Sequence, residues 1–167
     1  GTTRDLTHDL VLKIKETTQT PPIPHLTCVS HSEEEITATL DRYAAANIGN
    51  ILALRGDPPA NNSHYDRSKD AFQQAVDLVR HIKSFNDSKK HPHAKGFGIG
   101  VAAFPEGHPD TPNRLLEMDY LKAKVDEGAD YICTQLFFDN HDFFDFRDRC
   151  QLAGINIPIV AGIMPIT

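Results

Sequence analysis

The chain has no basic excess, no long apolar run and no paired cysteine motif, and each lack closes off a class of protein. Asp and Glu number 23 against 17 Lys and Arg, a net charge of −6, where a nucleic-acid surface would want the opposite balance. No apolar stretch approaches the ~18 residues of a membrane span. The polar, charged N-terminal residues read as neither signal peptide nor transit sequence. Cysteine is limited to Cys28, Cys133 and Cys150, an odd number with no CxxC pair. Two of them fall in apolar, strand-like runs, which reads as reduced, buried thiols in a cytoplasmic protein. No GxGxxG follows a strand and no Ser elbow is present, so neither a Rossmann dinucleotide site nor a serine hydrolase is signalled. His91 and His93 lie in the polar stretch Lys89–His93, read as a solvated loop. No third ligand is spaced to join them, and no metal site is expected.

What is present is one domain's worth of ordinary globular chain: 167 residues, 40% apolar and 24% charged, long enough for a sizeable core. A first helix is expected over Leu6–Thr17, with Leu10 and Ile14 on its apolar stripe. The three prolines of Thr18–Pro24 exclude helix there. A short buried strand follows, His25–Val29. Ser32-Glu33-Glu34-Glu35 matches the capping box that opens a helix. That helix buries Ile36, Leu40, Tyr43 and Ala44 and stops at Asn47 or Gly49.

The stretch Ile48–Leu54 reads as a strand buried on both faces. It breaks within three residues into Arg55, Gly56 and Asp57, and Pro58 and Pro59 end it. A polar loop from Ala60 to Arg67 leads to a helix with Phe72, Ala75, Val76, Val79 and Ile82 on one side. Ile99–Phe104 is a third strand, followed by a helix over Arg114–Glu127 that closes on Gly128. The strand Tyr131–Phe138 ends in Asp139-Asn140, which can cap the helix His141–Ala153. Gly154 closes that helix, and Ile159–Ile163 is the fifth strand.

Helix and buried strand alternate with no hairpin signal, the rhythm of βα units on a parallel sheet. Each strand ends in its own polar cluster, as in a (β/α)8 barrel whose site is assembled from many strand ends. A whole barrel takes eight strands and typically ~250 residues. The expected architecture is therefore α/β, a partial (β/α)8 TIM barrel of about five parallel βα units.

The strand ends offer His25 and Thr27, then Arg55, Gly56 and Asp57, then Phe104, Glu106 and His108. The fourth adds Thr134 and Gln135, and the last Gly162 and Pro165. The strand cysteines have no neighbouring base, so nucleophilic catalysis is poorly served. Donors and acceptors around one firm carboxylate, Asp57, suit a bound cofactor that performs the chemistry while the protein orients it. The plainer reading of Asp57 is a turn that closes a strand.

Six blocks in unbroken order resemble the methylenetetrahydrofolate reductase family. They are Pro24-His25-Leu26-Thr27-Cys28, Leu52-Ala53-Leu54-Arg55-Gly56-Asp57-Pro58, and Ala102-Ala103-Phe104-Pro105-Glu106-Gly107-His108-Pro109. Leu121–Asp130, Thr134–Asp139 and Pro158–Ile166 complete the set. The resemblance implies a flavin-dependent (β/α)8 barrel. It would pass hydride from NADH or NADPH to FAD, and from FAD to 5,10-methylenetetrahydrofolate, giving 5-methyltetrahydrofolate for methionine supply. By the same resemblance His25, Leu54, Arg55, Gly56, Asp57, Ala102, His108 and Lys124 would hold the flavin. Asp57 would lie beside flavin and folate, where its charge favours an iminium cation on the folate. Gln135 would bond the pterin edge, since an amide both donates and accepts.

Two departures from the family pattern stand out. Glu117 and Tyr120 occupy positions where many members carry an Asp, then an Asn or His, that reach the cofactor. The family's first strand also carries a glutamate that acts as general acid. That strand and the second would precede Gly1, and a further strand would follow Thr167. Residues 1–167 are thus expected to form part of a single flavin-binding catalytic domain. The fragment by itself is expected to be inactive, with open sheet edges that promote self-association into homo-oligomers.

For several residues a plainer reading stands beside the functional one. His25 could be a hydrogen-bonded core histidine, and Gln135 a barrel filler with a satisfied amide. Phe137, Phe138, Phe143, Phe144 and Phe146 read as core and helix–sheet packing rather than a stacking platform. Glu33–Glu35 is a cap and a solvated face. Two function classes follow: a flavin oxidoreductase acting on a small folate, or a non-catalytic piece of barrel that binds only a partner. Neither requires nucleic acid or a membrane.

Overall fold

The computed structural model describes residues 3–59, 65–111 and 113–164, with side chains described from residue 6 onward. In chain order the elements are α1 (Thr3–Thr17), β1 (His25–Thr27), α2 (Glu33–Ala45), β2 (Asn50–Leu54), a 3₁₀ turn (Arg67–Lys69) and α3 (Ala75–Asp87). Then come β3 (Gly98–Ala103), α4 (Arg114–Glu127), β4 (Tyr131–Thr134), α5 (Asn140–Leu152) and β5 (Ile159–Val160). The strands stand in the order β1-β2-β3-β4-β5 of one sheet. β1 pairs with β2, β3 with β4 and β4 with β5, each in parallel. A doubly wound sheet reverses its strand order at a switch point; here the order never reverses, which is barrel winding. The fold is α/β, five alternating helix–strand pairs of the (β/α)8 class.

The chain divides into two compact units, Gly1–Ile99 and Gly100–Thr167. In the first, α2 begins as its capping box dictates. The Ser32 hydroxyl accepts from the Glu35 N–H, and the Glu35 carboxylate accepts from the Ser32 N–H at 2.9 Å. Ile36, Leu40, Tyr43 and Ala44 are buried as the helical period requires, beside Leu78, Val79, Ile82 and Phe85 of α3 and Ile51, Leu52 and Ala53 of β2. Full burial of such side chains contributes roughly 1.5–3 kcal/mol each. Asn86, on the last turn of α3, fixes the approach to β3. Its amide nitrogen donates to the Phe97 carbonyl at 2.9 Å and its amide oxygen accepts from the Phe97 N–H at 2.8 Å.

In the second unit Leu121, Ala129, Ile132, Phe146, Cys150 and Ile155 form the core. α4 is capped by the Asn113 side chain and closes on Gly128, and α5 is capped by Asp139. Arg114 ties the two helix starts together through ion pairs to Asp142 (3.1 Å) and Asp145 (3.2 Å).

Several expectations change. On α1, among the described residues, Val11 is buried and Ile14 half-buried, while Leu10 is exposed; the stripe runs through Val11 and Ile14 and leaves Leu10 out. Phe72 is buried but precedes α3 rather than riding on it. The strands are shorter than their apolar runs, with β4 ending at Thr134 and β5 at Val160, because pairing rather than hydrophobicity decides where a ladder stops. His25 opens β1 and is exposed, so that strand is not buried throughout. His91 is not solvated: it is buried, its Nε2 lies 2.8 Å from the Ile48 carbonyl, and its Nδ1 accepts from the His93 N–H at 2.9 Å. Phe138 is 73% exposed and Phe144 also faces solvent, whereas Phe137 stacks on Phe143 and Phe146 is core. Cys28 and Cys150 are buried and Cys133 only half-buried; all three thiols are free. Pro165 and most of the loop Ala60–Arg67 lie outside the described residues.

Candidate functional site

In the first unit the site is built on the end of β2. Leu54 is its last residue, register partner of Thr27. The chain then turns through Gly56 at φ +76°, a conformation that L side chains rarely adopt. A Cβ there would meet the Thr27 Cβ at 2.9 Å and Val29 Cγ2 at 3.0 Å. Glycine is therefore required both for the turn and for the approach to β1. Asp57 follows, exposed, with no hydrogen bond or ion pair among the described residues. The Gly-Asp step thus delivers an unspent carboxylate from a closely packed turn.

His25 does not belong to the end of its strand. It pairs with Leu52, two residues before Leu54, and its ring makes no hydrogen bond among the described residues. Cys28 follows β1, its thiol donating to the Leu54 carbonyl (3.3 Å) and near that of Gln74 (3.4 Å). Burial, with Asp77 nearby, pushes this thiol up to about 12, so it is inert.

The second unit links four of the expected cofactor residues. The Lys124 ammonium donates to the Ala102 carbonyl at 2.7 Å. Burial pulls its pKa down to about 8, with the Glu117 charge acting in the opposite sense. The Glu117 carboxylate accepts the backbone N–H of His108. The His108 ring packs edge-on against Phe104, centroids 4.5 Å apart, and its Nδ1 accepts from the Asp110 N–H at 3.0 Å. That bond leaves Nε2 to carry the proton of the neutral ring. A cleft of about 320 Å³ opens here, lined by Glu106, His108, Thr111, Asn113, Arg114 and Glu117. Tyr120, by contrast, is 55% exposed and joins none of these contacts.

Gln135 follows β4, its N–H donating to the Ala103 carbonyl at 2.7 Å. Its side-chain amide is exposed and free of hydrogen bonds among the described residues. Thr134 is buried, and its hydroxyl accepts from the Gly162 N–H at 2.8 Å. A Cβ on Gly162 would lie 2.2 Å from the Thr134 carbonyl, so glycine is required there also. Glu106 accepts from the Phe138 N–H at 2.7 Å and so braces the loop that carries Gln135.

Sequence reasoning passed over Arg67. Its Nη2 donates to the Gly56 carbonyl at 3.0 Å, while Nη1 is buried without a partner among the described residues. A lone arginine soon after the Gly-Asp step was the available signal. Among the described residues no cluster of three metal-binding side chains occurs, and no helix is long and apolar enough to cross a membrane.

Among solved structures, a 2,3-dimethylmalate lyase of the PEP mutase/isocitrate lyase superfamily superposes with TM-score 0.63 at 11% identity, covering 95% of this chain and 59% of that one. A phosphonopyruvate hydrolase superposes at 0.64 and 12%, covering 96% and 51%. At such identity the likeness concerns fold alone. The sequence relatives are nearer. A methylenetetrahydrofolate reductase (NADH) 1 of Arabidopsis thaliana is 40% identical over 176 residues, covering 100% of this chain and 28% of that protein. A 5,10-methylenetetrahydrofolate reductase of Pectobacterium carotovorum is 38% identical over 164 residues, covering 98% and 50%. The chain thus spans at most half the length of these relatives. The family model described as methylenetetrahydrofolate reductase matches residues 1–167, and with the six ordered blocks and the barrel winding this places the chain in the methylenetetrahydrofolate reductase family.

Proposed function

We propose that this chain serves the reduction of 5,10-methylenetetrahydrofolate to 5-methyltetrahydrofolate, with NADH or NADPH as donor and FAD as the bound flavin. The observation that carries the reading is Asp57: an exposed carboxylate, unpaired among the described residues, on the glycine turn after β2, in a chain that matches the family from end to end. When bound, FAD would supply the hydride carrier that no side chain can provide.

The residues present fit such a cofactor. Lys124 is a half-buried cation with one N–H given to Ala102; its two remaining donors suit a phosphate. His108 offers its Nε2–H, and Leu54, Arg55, Gly56 and Ala102 supply backbone at strand ends. His25, Glu117 and Tyr120 are proposed at the flavin's periphery. Glu117 acts there through the His108 backbone. Asp57 would hold negative charge where positive charge develops on the folate, which stabilises the transition state more than the ground state. Gln135 would pair with the pterin edge through its free amide.

Residues 1–167 are proposed as part of one cytoplasmic catalytic barrel that self-associates and acts on a small folate. The test is purification of the full-length gene product. Flavin absorbance, and 5-methyltetrahydrofolate formed from NADH or NADPH, are expected. A colourless protein that forms none would favour the non-catalytic reading.

A further inference from the structure

The peptide joining Gly56 to Asp57 is held from two sides. On one, the end of β1 lies so close to the Gly56 Cα that even a Cβ would meet Thr27 at 2.9 Å. On the other, Arg67 Nη2 donates to the Gly56 carbonyl at 3.0 Å. Because a peptide is planar, fixing that oxygen fixes the direction in which the Asp57 Cα leaves the turn. Arg67 is itself anchored. Asp66 caps its 3₁₀ turn by accepting from the Ser68 N–H (3.1 Å) and hydroxyl (2.7 Å). The guanidinium carbon lies 5.9 Å from the Tyr65 ring centroid, and the Tyr65 hydroxyl donates to Asp70. Arg67 Nη1 is buried with no partner among the described residues. Among the described residues the guanidinium thus makes its one hydrogen bond to Gly56, at the expense of its other arm.

We propose that Arg67 is a positioning residue for Asp57, holding the Gly56–Asp57 peptide in the orientation that presents the carboxylate to the substrate. It touches no reacting atom and acts through the backbone of its neighbour. The inference rests on the role assigned to Asp57 in folate reduction. A preorganised charge loses much of its effect when its support loosens. The consequence should fall on the folate step and spare hydride transfer from the nicotinamide.

The experiment uses the full-length flavoprotein and follows its two half-reactions by stopped flow. Arg67→Met, which keeps the aliphatic stem and removes the donor, should slow flavin reoxidation by 5,10-methylenetetrahydrofolate about tenfold. Flavin reduction by the nicotinamide should change less than about twofold. Arg67→Lys, which restores one rotatable donor, should recover most of the loss. Equal slowing of both half-reactions, no slowing of either, or loss of flavin from Arg67→Met would overturn the proposal; so would a Lys variant no better than Met. Asp57→Asn, measured alongside, separates the two levels. If it fails to slow the folate step selectively, the reading of Asp57 falls. If it slows that step while Arg67→Met is silent, only the positioning role falls.

Discussion

The ammonium of Lys124 lies 2.7 Å from the carbonyl oxygen of Ala102. These residues are 22 positions apart, one on α4 and the other near the end of β3, and both were expected to serve the cofactor. The contact leaves a half-buried charge with donors to spare. The first prediction follows from its titration.

Burial lowers the Lys124 pKa from 10.5 to about 8, so the folded state gives up this proton before the unfolded state does. The penalty for burying the charge is fully present below pH about 8 and is relieved between about 8 and 10.5, where stability rises with pH. A bound phosphate favours the ammonium and works the other way. FAD affinity should therefore fall about tenfold or more between pH about 7 and 9.5. Titration of the apo full-length protein with FAD reads this directly. Lys124→Met should bind more weakly and without that pH dependence; an affinity flat in the wild type would put the phosphates elsewhere.

Asp57→Asn should slow reoxidation of the reduced flavin by folate on the order of a hundredfold. Its reduction by NADH or NADPH should change far less, because the cation that Asp57 would stabilise forms only on the folate side. Stopped-flow traces of the two half-reactions distinguish this from a carboxylate that merely shapes the flavin pocket, which would slow both alike.

Asn86→Leu should destabilise the protein by roughly 2–4 kcal/mol. It strands the N–H and carbonyl of the buried Phe97, which the amide satisfies at 2.8 and 2.9 Å. Urea unfolding midpoints measure the loss. A change below about half a kcal/mol would mean that water replaces the amide.

The three thiols should be silent toward an aromatic disulfide reagent at pH about 8 in the folded protein. Burial pushes Cys28 up to about 12 and Cys150 up to about 11, and raises Cys133 as well, so almost none is thiolate. All three should react after denaturation; a fast native thiol would contradict this account of the core.

Local chemistry was enough to read the helices and the order of the fold. Ser32 and Glu35 announce α2, Gly128 closes α4, and Asp139 opens α5, because caps and periodicity act within a turn or two of chain. The alternation of helix and strand without hairpin signals implied parallel βα winding. The Gly56-Asp57 step stood out because a buried strand ending in a carboxylate is conspicuous in one dimension. Tertiary structure alone decided which lone polar side chain meets which distant backbone group. His91 reads as loop from its neighbours, yet it is buried because the Ile48 carbonyl, 43 residues away, is within 2.8 Å. The reach of Arg67 to Gly56 and of Lys124 to Ala102 is likewise a matter of chain crossing chain. A hydrogen bond needs atoms within about 3 Å. Sequence spacing carries that information inside one helix or turn, and loses it as soon as the chain folds back on itself.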